Sequence, residues 1–556
     1  MIYPYGHANT MERRYPDGIY DFRSLVTGGY HFVDKTMLIS EVCEADGITF
    51  LYTRPRRFGK SINLSMLDYY FNVRYRDSED IFKGLKIDSC DRCRPYKNEY
   101  PVIRLNFGDL ECASLDEFYE SISDMLSFTA ETALEVLKGY EIDEGYKRTL
   151  DSAIGHDLSR VESRSFIKKL CRLYGMCFGR KTIILVDEYD QWVQNVRSTE
   201  LFESLVGAIR PFMQQTFKFN NDIQFGFVTG IMPMAKTSML SSFNNASICS
   251  ILDERGDESF GFTEGEVSRL LEETGNPPEK MDEIREWYDG YRFGDAEIYN
   301  PWSILNYIKS GFEPAPYWAG TSGNDIIDNL LDHADEDTYS KLVSLGNGQT
   351  IEVMLSPRVV MNDLASDRNA IYSVMVMAGY LKAVPLTRGY EISIPNAEMM
   401  RVFETMMMHR IHSDAEIAFG NLFDGMEVND TALMERSLRR IMDENIPFIL
   451  LSRERDYQLI IGAAAMGRLG RYTVSLEEEA GDGRADILMK PNRAGLPNIV
   501  LELKKTDSGD PRECAVKALC QIKEREYFRS LSGKVFIYGL CFRGKDFALL
   551  SEEISR

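Results

Sequence analysis

The stretch Arg54-Pro55-Arg56-Arg57-Phe58-Gly59-Lys60-Ser61 decides the fold of the first half of this 556-residue chain. An apolar, β-branched and aromatic run at 48–52 precedes it, and apolar or aromatic side chains follow it at helical spacing: Ile62, Met66, Tyr69 and Tyr70. This order predicts a strand, a tight turn and a helix. Because a helix N-terminus offers unpaired N–H groups and the positive end of a dipole, the turn is predicted to bind phosphate.

The Gly-Lys-Ser end of this turn predicts a nucleotide site. Lys60 is expected to contact the β- and γ-phosphates, and the Ser61 hydroxyl is expected to hold Mg²⁺. The rest of the phosphate-binding surface is predicted to comprise Arg56, Arg57, Phe58 and Gly59. The GxxxxGK[ST] pattern has glycine where this chain has Arg54. The three arginines of the turn are therefore predicted to belong to the phosphate-binding surface or to couple it to a neighbour.

A second run, at 181–186, is almost continuously apolar, which is typical of a strand buried on both faces of a parallel sheet. Ligands of α/β sheets bind beyond the carboxyl ends of the strands, where Asp187 and Glu188 follow. Asp187 is predicted to hold Mg²⁺ through water, and Glu188 to polarise an attacking water. An acidic loop without function is the alternative, and the Gly-Lys-Ser turn upstream disfavours it. A strand at 223–230 ends at Thr229, which is equally consistent with a γ-phosphate sensor and with a turn residue.

Composition bounds the class of protein. A chain of 556 residues with 44% hydrophobic and 27% charged residues is a globular protein too long for one core, so two to four domains are expected. The net charge of −22 argues against a charge-driven nucleic-acid coat, although it leaves room for a local basic channel. No apolar run reaches the ~18 residues of a membrane span, and no signal peptide is recognisable, so no membrane partner is expected.

The ten cysteines lack a disulfide-like spacing, which favours a reducing, cytoplasmic location. Cys90 and Cys93 form a lone CxxC pair. A zinc site would need a second pair, and only Cys112 lies nearby in sequence, so metal binding is disfavoured there.

The chain is predicted to contain three regions. Residues 1–255 hold the phosphate-binding turn, and residues 256–440 form a helical lid or connector. Residues 441–556 form a smaller α/β domain. Aromatic residues gather within the connector at 287–318, beside Gly and Asn-Pro turns. A structural hub is favoured for them over a stacking platform for nucleic-acid bases.

The last region predicts a second site. Glu502 and Lys504 alternate with apolar residues in the run 499–504, so both side chains point to one face of a strand. A short loop makes the strand before it a hairpin partner, which brings Asp486 opposite Glu502. Two carboxylates beside an ammonium predict an Mg²⁺ site, in which Lys504 stabilises the negative charge that develops on a phosphodiester. An ordinary surface Glu–Lys pair is the alternative, and it is disfavoured because the surrounding run is apolar.

The motifs described above resemble those of two protein families. Residues ~15–255 resemble the AAA-ATPase-like family, whose signature stretches match 33–36, 54–61 and 185–190, with a downstream match at 287–294 and 299–301. In that family the substituted Arg54 is the usual form. Residues ~445–545 resemble PD-(D/E)XK nuclease domains, to which Asp486, Glu502 and Lys504 correspond. The second resemblance also implies that Gln521 and, more weakly, Glu454 are catalytic.

The resemblances imply an α/β fold: a P-loop NTPase parallel sheet flanked by helices, a helical connector, and a restriction-endonuclease-like domain. They imply ATP and Mg²⁺ as cofactors and metal-dependent phosphodiester cleavage of nucleic acid, with DNA favoured over RNA. A homo-oligomer is compatible with them. The alternative function is a nucleotide-dependent switch or scaffold with an inactive nuclease fold.

Overall fold

The computed structural model describes residues 14–16, 18–44, 49–194, 196, 199–232, 246–274, 279–318, 336–346, 348–356, 369–409, 413–442, 454–480 and 483–554. The chain divides into two compact units. The first comprises Met1–Ile326, Val353–Tyr390 and Pro395–Glu398, and the second comprises Ile327–Glu352, Glu391–Ile394 and Met399–Arg556. The division at 255 and 440 that the sequence suggested stays a prediction.

The first unit is built on a five-stranded parallel sheet, with strand order β2-β3-β4-β1-β5. The strands are β1 (Thr49–Thr53), β2 (Val102–Asn106), β3 (Thr182–Asp187), β4 (Ile223–Gly230) and β5 (Ala246–Cys249). β4 lies between β1 and β3, so the carboxyl end of β4 separates the predicted phosphate-binding turn from the acidic turn after β3. The predicted parallel α/β sheet is thereby confirmed.

The described residues of this part of the chain form eight helices: α1 (Phe22–Thr27), α2 (Leu38–Glu44), α3 (Lys60–Phe71), α4 (Leu115–Val136), α5 (Glu144–Ile154), α6 (Arg160–Phe178), α7 (Gln191–Gln194) and α8 (Thr199–Met213). Short 3₁₀ turns lie at Val73–Tyr75, Lys86–Ser89 and Arg94–Tyr96, and a π-helical turn at Gln214–Lys218 follows α8. The apolar faces of α4, α5, α6 and α8 share one core with β1–β4. The near-continuous apolar pattern of β3 follows from this, because all its residues are buried.

A smaller antiparallel sheet and three helices follow: β6 (Phe262–Thr263), α9 (Glu264–Glu273), α10 (Lys280–Tyr288), β7 (Tyr291–Phe293), β8 (Ala296–Tyr299) and α11 (Pro301–Lys309). The aromatic residues of this segment bury against one another, with Tyr288, Tyr299 and Tyr307 in one core and Trp287 and Tyr317 against it. Aromatic packing of this kind is what a structural hub requires.

Glu398 is a buried acid beside this hub. Its carboxylate accepts hydrogen bonds from the Ser303 hydroxyl at 2.8 Å and from the Trp318 backbone N–H at 2.9 Å. The side chain is fully buried. Burial raises the pKa of Glu398 from 4.5 to about 7, although these hydrogen bonds oppose the shift.

This raised pKa predicts a pH-dependent stability. Between the unfolded pKa and the folded pKa, the folded chain keeps a proton that the unfolded chain releases, so stability falls as pH rises through this window and levels off above it. The expected loss from Glu398 is roughly 3 kcal/mol. We expect the melting temperature of the wild type to fall more between pH 5 and pH 8 than that of Glu398→Gln. If the difference in melting temperature between the wild type and Glu398→Gln is the same at pH 5 and pH 8, this expectation is wrong.

The next stretch contributes segments to both units. It contains α12 (Glu336–Gly346), β9 (Ile351–Val353), α13 (Ala370–Met377), β10 (Lys382–Pro385), β11 (Tyr390–Ser393) and α14 (Ala397–His409). Within the described residues, no helix is both long and apolar enough to cross a membrane.

The second unit contains a mixed five-stranded sheet in sequential order, in which only the β14–β15 pair is parallel. Its elements are α15 (Ser413–Val428), α16 (Thr431–Arg440), α17 (Glu454–Met466), β12 (Tyr472–Ala480), β13 (Gly483–Pro491), β14 (Asn498–Lys505), α18 (Pro511–Glu524), β15 (Val535–Arg543) and β16 (Asp546–Ile554). Helix α18 packs on β14, β15 and β16. A disulfide joins Cys514 of α18 to Cys541 of β15, a pairing that the cysteine spacing did not suggest.

Candidate active sites

The turn after β1 has the backbone that a phosphate-binding loop needs. Arg57 and Gly59 adopt left-handed conformations, with φ of 69° and 85°. Helix α3 begins at Lys60, and Gly59 at its N-cap supplies no side-chain hydrogen bond. The first amides of α3 are therefore presented to a ligand instead of being capped by a serine or aspartate.

The Lys60 side chain folds back onto the backbone of this turn. Its ammonium donates to the carbonyl oxygens of Pro55 at 2.9 Å and Arg54 at 3.1 Å, and the residue is buried. Burial lowers the pKa of Lys60, whereas the charges of Glu188 and Asp187 raise it. A buried cation whose hydrogen bonds go to neutral carbonyls is suited to an anionic ligand such as a polyphosphate.

The sequence left open whether Arg54 belongs to the phosphate-binding surface or couples it to a neighbour, and the contacts of its side chain favour a coupling role. Its guanidinium is fully buried and donates to the carbonyl oxygens of Thr53, Cys249, Arg255 and Gly256 at 2.7–3.2 Å. The rings of Phe260 and Phe293 lie 5.0 and 5.3 Å from it. The side chain thus connects the start of the loop to the end of β5 and to the segment that follows it.

Replacing Arg54 should therefore destabilise the first unit. The variant Arg54→Met keeps apolar volume but leaves buried carbonyls without donors, at an expected cost of about 3–5 kcal/mol. Arg54→Lys should cost nearly as much, because an ammonium cannot reach the same set of acceptors. Thermal unfolding followed by circular dichroism measures the effect. A melting temperature unchanged from that of Arg56→Ala, the control within the same loop, would contradict it.

The other loop side chains have separate environments. Arg57 stacks on Trp302, with its guanidinium carbon 4.3 Å from the ring centroid. Phe58 is buried against Tyr291 and Phe293, so only its backbone is available to a ligand. Arg56 is half-buried, and its charge lowers the pKa values of Lys60 and Glu188. The charge of Arg56 thus acts on the acidic turn.

Asp187 and Thr229 end neighbouring strands. The β3–β4 register pairs Val186 with Val228, which places the next residues side by side. The Thr229 hydroxyl donates to Asp187 Oδ1 at 2.6 Å, and Thr229 is fully buried. The Thr229 hydroxyl thus contacts and orients the Asp187 carboxylate, and its role as a γ-phosphate sensor stays a prediction.

Glu188 follows in a left-handed conformation, with φ of 52°. Its carboxylate lies so close to Gly108 that a methyl group on this glycine would overlap Oε2, and the Asn106 side chain is also nearby. Burial raises the pKa of Glu188, and Lys60 lowers it in part. Asn106 ends β2 and Gly108 comes shortly after it. Sequence reasoning missed both; the signal was an amide and a glycine at the end of the neighbouring strand.

Two cavities adjoin these residues. A large cleft of about 1190 Å³ has a mixed polar and apolar lining that includes Ser61, Asp187 and Glu188 together with residues of β2 and α4. A smaller, mainly apolar groove of about 180 Å³ is lined by Arg57, Gly59, Ile62, Trp302 and Leu305 among others. Residues of the turn and of helix α3 thus line both cavities.

The second unit holds the second predicted site. The register of β13 and β14 pairs Ile487 with Leu501, and one step further along that register Asp486 faces Glu502. The Leu503 N–H donates to Asp486 Oδ2 at 2.6 Å, and Gln458 Nε2 of α17 donates to Oδ1 at 2.7 Å. Gln458 was not predicted. It lies one helical turn beyond Glu454, whose side chain falls outside the described residues.

Glu502 is the buried centre of this site. Lys504 Nζ donates to Glu502 Oε1 at 2.9 Å, and Gln521 Nε2 donates to the same oxygen. The other oxygen, Oε2, is buried without a hydrogen-bond partner. Burial and the Asp486 charge raise the pKa of Glu502 to about 7, against the effect of Lys504. The Tyr527 hydroxyl accepts a hydrogen bond from Gln521 at 3.0 Å and completes the cluster.

This arrangement fits a divalent cation. An orphaned carboxylate oxygen beside a second carboxylate is a hard-oxygen donor set, and Mg²⁺ typically uses only one or two carboxylates in addition to water and phosphate. Within the described residues, no group of three or more His, Cys, Asp or Glu side chains is arranged to bind a metal. The described side chains therefore offer two carboxylates to a cation at this site.

Two family models and two other proteins resemble parts or most of this chain. Residues 16–240 match the family model described as Predicted AAA-ATPase, and residues 452–552 match the PD-(D/E)XK nuclease superfamily. An uncharacterized protein in the vnfD 5′ region of Azotobacter chroococcum mcd 1 is 25% identical over 551 residues, covering 95% of this chain and 96% of that protein. The solved structure of a Walker-type ATPase of Pyrococcus abyssi aligns with 71% of this chain and 99% of its own, at 14% identity and a TM-score of 0.37.

Proposed function

We propose that this chain, which carries an AAA-ATPase-like domain followed by a PD-(D/E)XK nuclease-superfamily domain, is an ATP-regulated, Mg²⁺-dependent nuclease. Both domains come from enzyme families. The observation that supports cleavage is the convergence of Asp486, Lys504 and Gln521 on the buried Glu502. Four polar side chains gathered beside the central strand of a sheet are costly for a merely structural domain and are expected of a catalytic one.

The nuclease residues have distinct proposed roles. Asp486 and Glu502 would hold Mg²⁺, which supplies charge neutralisation and an activated water. Lys504 lies on the same strand face and stabilises negative charge at the phosphodiester. Gln521 and Gln458 orient the two carboxylates by donating to them. The Tyr527 hydroxyl accepts a hydrogen bond from the Gln521 side-chain amide and helps to hold it in position.

At the nucleotide site, Lys60 and the N-terminal amides of α3 bind the phosphates of ATP. Ser61 and Asp187 would hold Mg²⁺, with Thr229 fixing the Asp187 carboxylate. Glu188 is proposed as the base that orients the attacking water, and the large cleft that it lines gives that water access. We assign the nucleotide base to the apolar groove, because Arg57 and Gly59 of the phosphate-binding turn also line it.

The close contact between Glu188 and Gly108 gives a test of the Glu188 role. In Gly108→Ala the added methyl group displaces the Glu188 carboxylate without touching Lys60. We expect kcat for ATP hydrolysis to fall about 10- to 100-fold while the ATP dissociation constant changes little. Gly207→Ala is the matched control, since a methyl group there meets nothing within 4 Å. Hydrolysis as fast in Gly108→Ala as in the control would remove Glu188 from the mechanism.

The nucleic-acid substrate is proposed from the chemistry of the nuclease domain. In residues 452–552 the basic residues slightly outnumber the acidic ones, whereas the whole chain has a net charge of −22. A charge balance of this kind lets the nuclease domain approach a polyanion that the rest of the chain repels. DNA is the substrate that we favour.

One observation favours the second candidate, a nucleotide-dependent switch or scaffold. The loop's own carbonyls take two of the three donors of the Lys60 ammonium, so a phosphate that recruits this ammonium changes the contacts of the loop, as a switch requires. Tight ATP binding with neither hydrolysis nor cleavage would establish this function in place of the first.

A cleavage panel tests the proposal. Supercoiled plasmid, linear duplex DNA and single-stranded RNA are incubated with the protein in Mg²⁺ or in EDTA, beside the double variant Asp486→Asn/Glu502→Gln. We expect Mg²⁺-dependent cleavage of DNA by the wild type only. Cleavage that persists in the double variant would refute the assigned site.

A further inference from the structure

The CxxC pair, which the nucleotide and nuclease sites do not use, lies in a tight turn of the first unit. Cys90 and Cys93 stand between the 3₁₀ turns Lys86–Ser89 and Arg94–Tyr96, and the Cys93 N–H donates to the Cys90 carbonyl oxygen at 3.0 Å. The two Sγ atoms are 2.7 Å apart. A disulfide bond is about 2.05 Å long, so a small side-chain rotation suffices to form one.

The two thiols differ in access and acidity. Cys90 is half-exposed, whereas Cys93 is fully buried. Desolvation raises the pKa of Cys90, but hydrogen bonds that involve Cys93, Ser40 and Arg92 outweigh it and lower the pKa. Burial and the neighbouring Cys90 raise the pKa of Cys93 to about 11. An accessible thiolate beside a buried thiol is the arrangement of an attacking and a resolving cysteine.

The surroundings of the pair are polar and specific. Ser40 Oγ of α2 lies 3.8 Å from Cys90 Sγ and 3.2 Å from the Arg92 guanidinium, and it donates to Glu44 at 2.6 Å. The third nearby cysteine is Cys43 of α2, which hydrogen-bonds to Cys93. Burial raises the pKa of Cys43, so this thiol stays protonated. Cys112, the sequence neighbour considered for a metal site, instead donates to the Leu110 carbonyl at 3.6 Å.

We infer that Cys90 and Cys93 form a reversible dithiol–disulfide site whose co-substrate is a low-molecular-weight disulfide. The Cys90 thiolate attacks one sulfur of the disulfide, forms a mixed disulfide and releases one thiolate. Cys93 loses its proton and attacks the Cys90 sulfur, which closes the Cys90–Cys93 bond and releases the second thiolate. Two electrons pass from the protein dithiol to the small disulfide, which is reduced to two thiols. This site does not depend on the proposed nuclease function.

Oxidised glutathione is the probe. The full-length protein is treated at pH 7, digested without reductant, and analysed by mass spectrometry. We expect the wild type to form the Cys90–Cys93 disulfide, reversibly with dithiothreitol, and Cys93→Ser to accumulate glutathione on Cys90. Cys90→Ser should form neither product, and Cys112→Ser should behave as the wild type.

The exposed Cys520 supplies an internal reference for reactivity. In Cys93→Ser, we expect Cys90 to acquire glutathione at least about 10-fold faster than Cys520. The inference fails if the two cysteines react at equal rates or if the wild type forms no Cys90–Cys93 bond. It also fails if the purified protein holds stoichiometric zinc at these thiols, because that result would assign a metal site.

Discussion

Replacing Lys504 by alanine is expected to lower the rate of phosphodiester cleavage about 100- to 1,000-fold, because the charge it supplies acts in a buried site. Lys504 donates to Glu502 Oε1 and lies on the strand face that also carries this acid. ATP binding should be unchanged, since all the proposed nucleotide ligands belong to the first unit. Initial rates of plasmid cleavage in Mg²⁺ and an ATP titration measure the two effects.

The next residue provides the control. Lys505 lies on the opposite face of β14 and pairs with Asp507, so Lys505→Ala removes the same charge without touching Glu502. This variant should cleave at nearly the wild-type rate. Equal losses in Lys504→Ala and Lys505→Ala would show that general electrostatic attraction to nucleic acid, and not the site, accounts for the effect.

Lys60→Ala is expected to weaken ATP binding at least about 100-fold, the loss of roughly two charge-assisted hydrogen bonds to phosphate. The buried position of Lys60 and its carbonyl partners make a folding check necessary, because Pro55 and Arg54 lose a donor. Isothermal titration with ATP, together with circular dichroism, separates binding from stability. Lys138→Ala removes an exposed lysine of the same unit and should bind ATP normally. Wild-type affinity in Lys60→Ala would refute the nucleotide site.

Local sequence patterns predicted the features that depend on neighbouring residues. The order of strand, turn and helix around Gly59 follows from apolar periodicity and from a glycine that tolerates a left-handed conformation. The placement of Glu502 and Lys504 on one face of β14 follows from strand alternation. The functional roles of these residues stay predictions.

Features that depend on distant parts of the chain could not be predicted in this way. The sequence grouped Arg54 with the predicted phosphate-binding residues because it lies in the same loop, yet its acceptors at Cys249 and Gly256 lie about 200 residues further along. The hydrogen bond between Cys43 and Cys93 depends on how α2 packs. The disulfide between Cys514 and Cys541 depends on how α18 packs. A spacing of four residues from Glu454 could have drawn attention to Gln458 on the same helix face.

The central claim is that nucleotide binding in one unit controls cleavage in the other. The most direct measurement is the initial rate of plasmid cleavage in Mg²⁺ with and without ATP, for the wild type, Lys60→Ala and Lys504→Ala. The account predicts that ATP changes the wild-type rate, that Lys60→Ala cleaves at the ATP-free rate whether or not ATP is present, and that Lys504→Ala scarcely cleaves in either condition. A wild-type rate that is the same with and without ATP would contradict it.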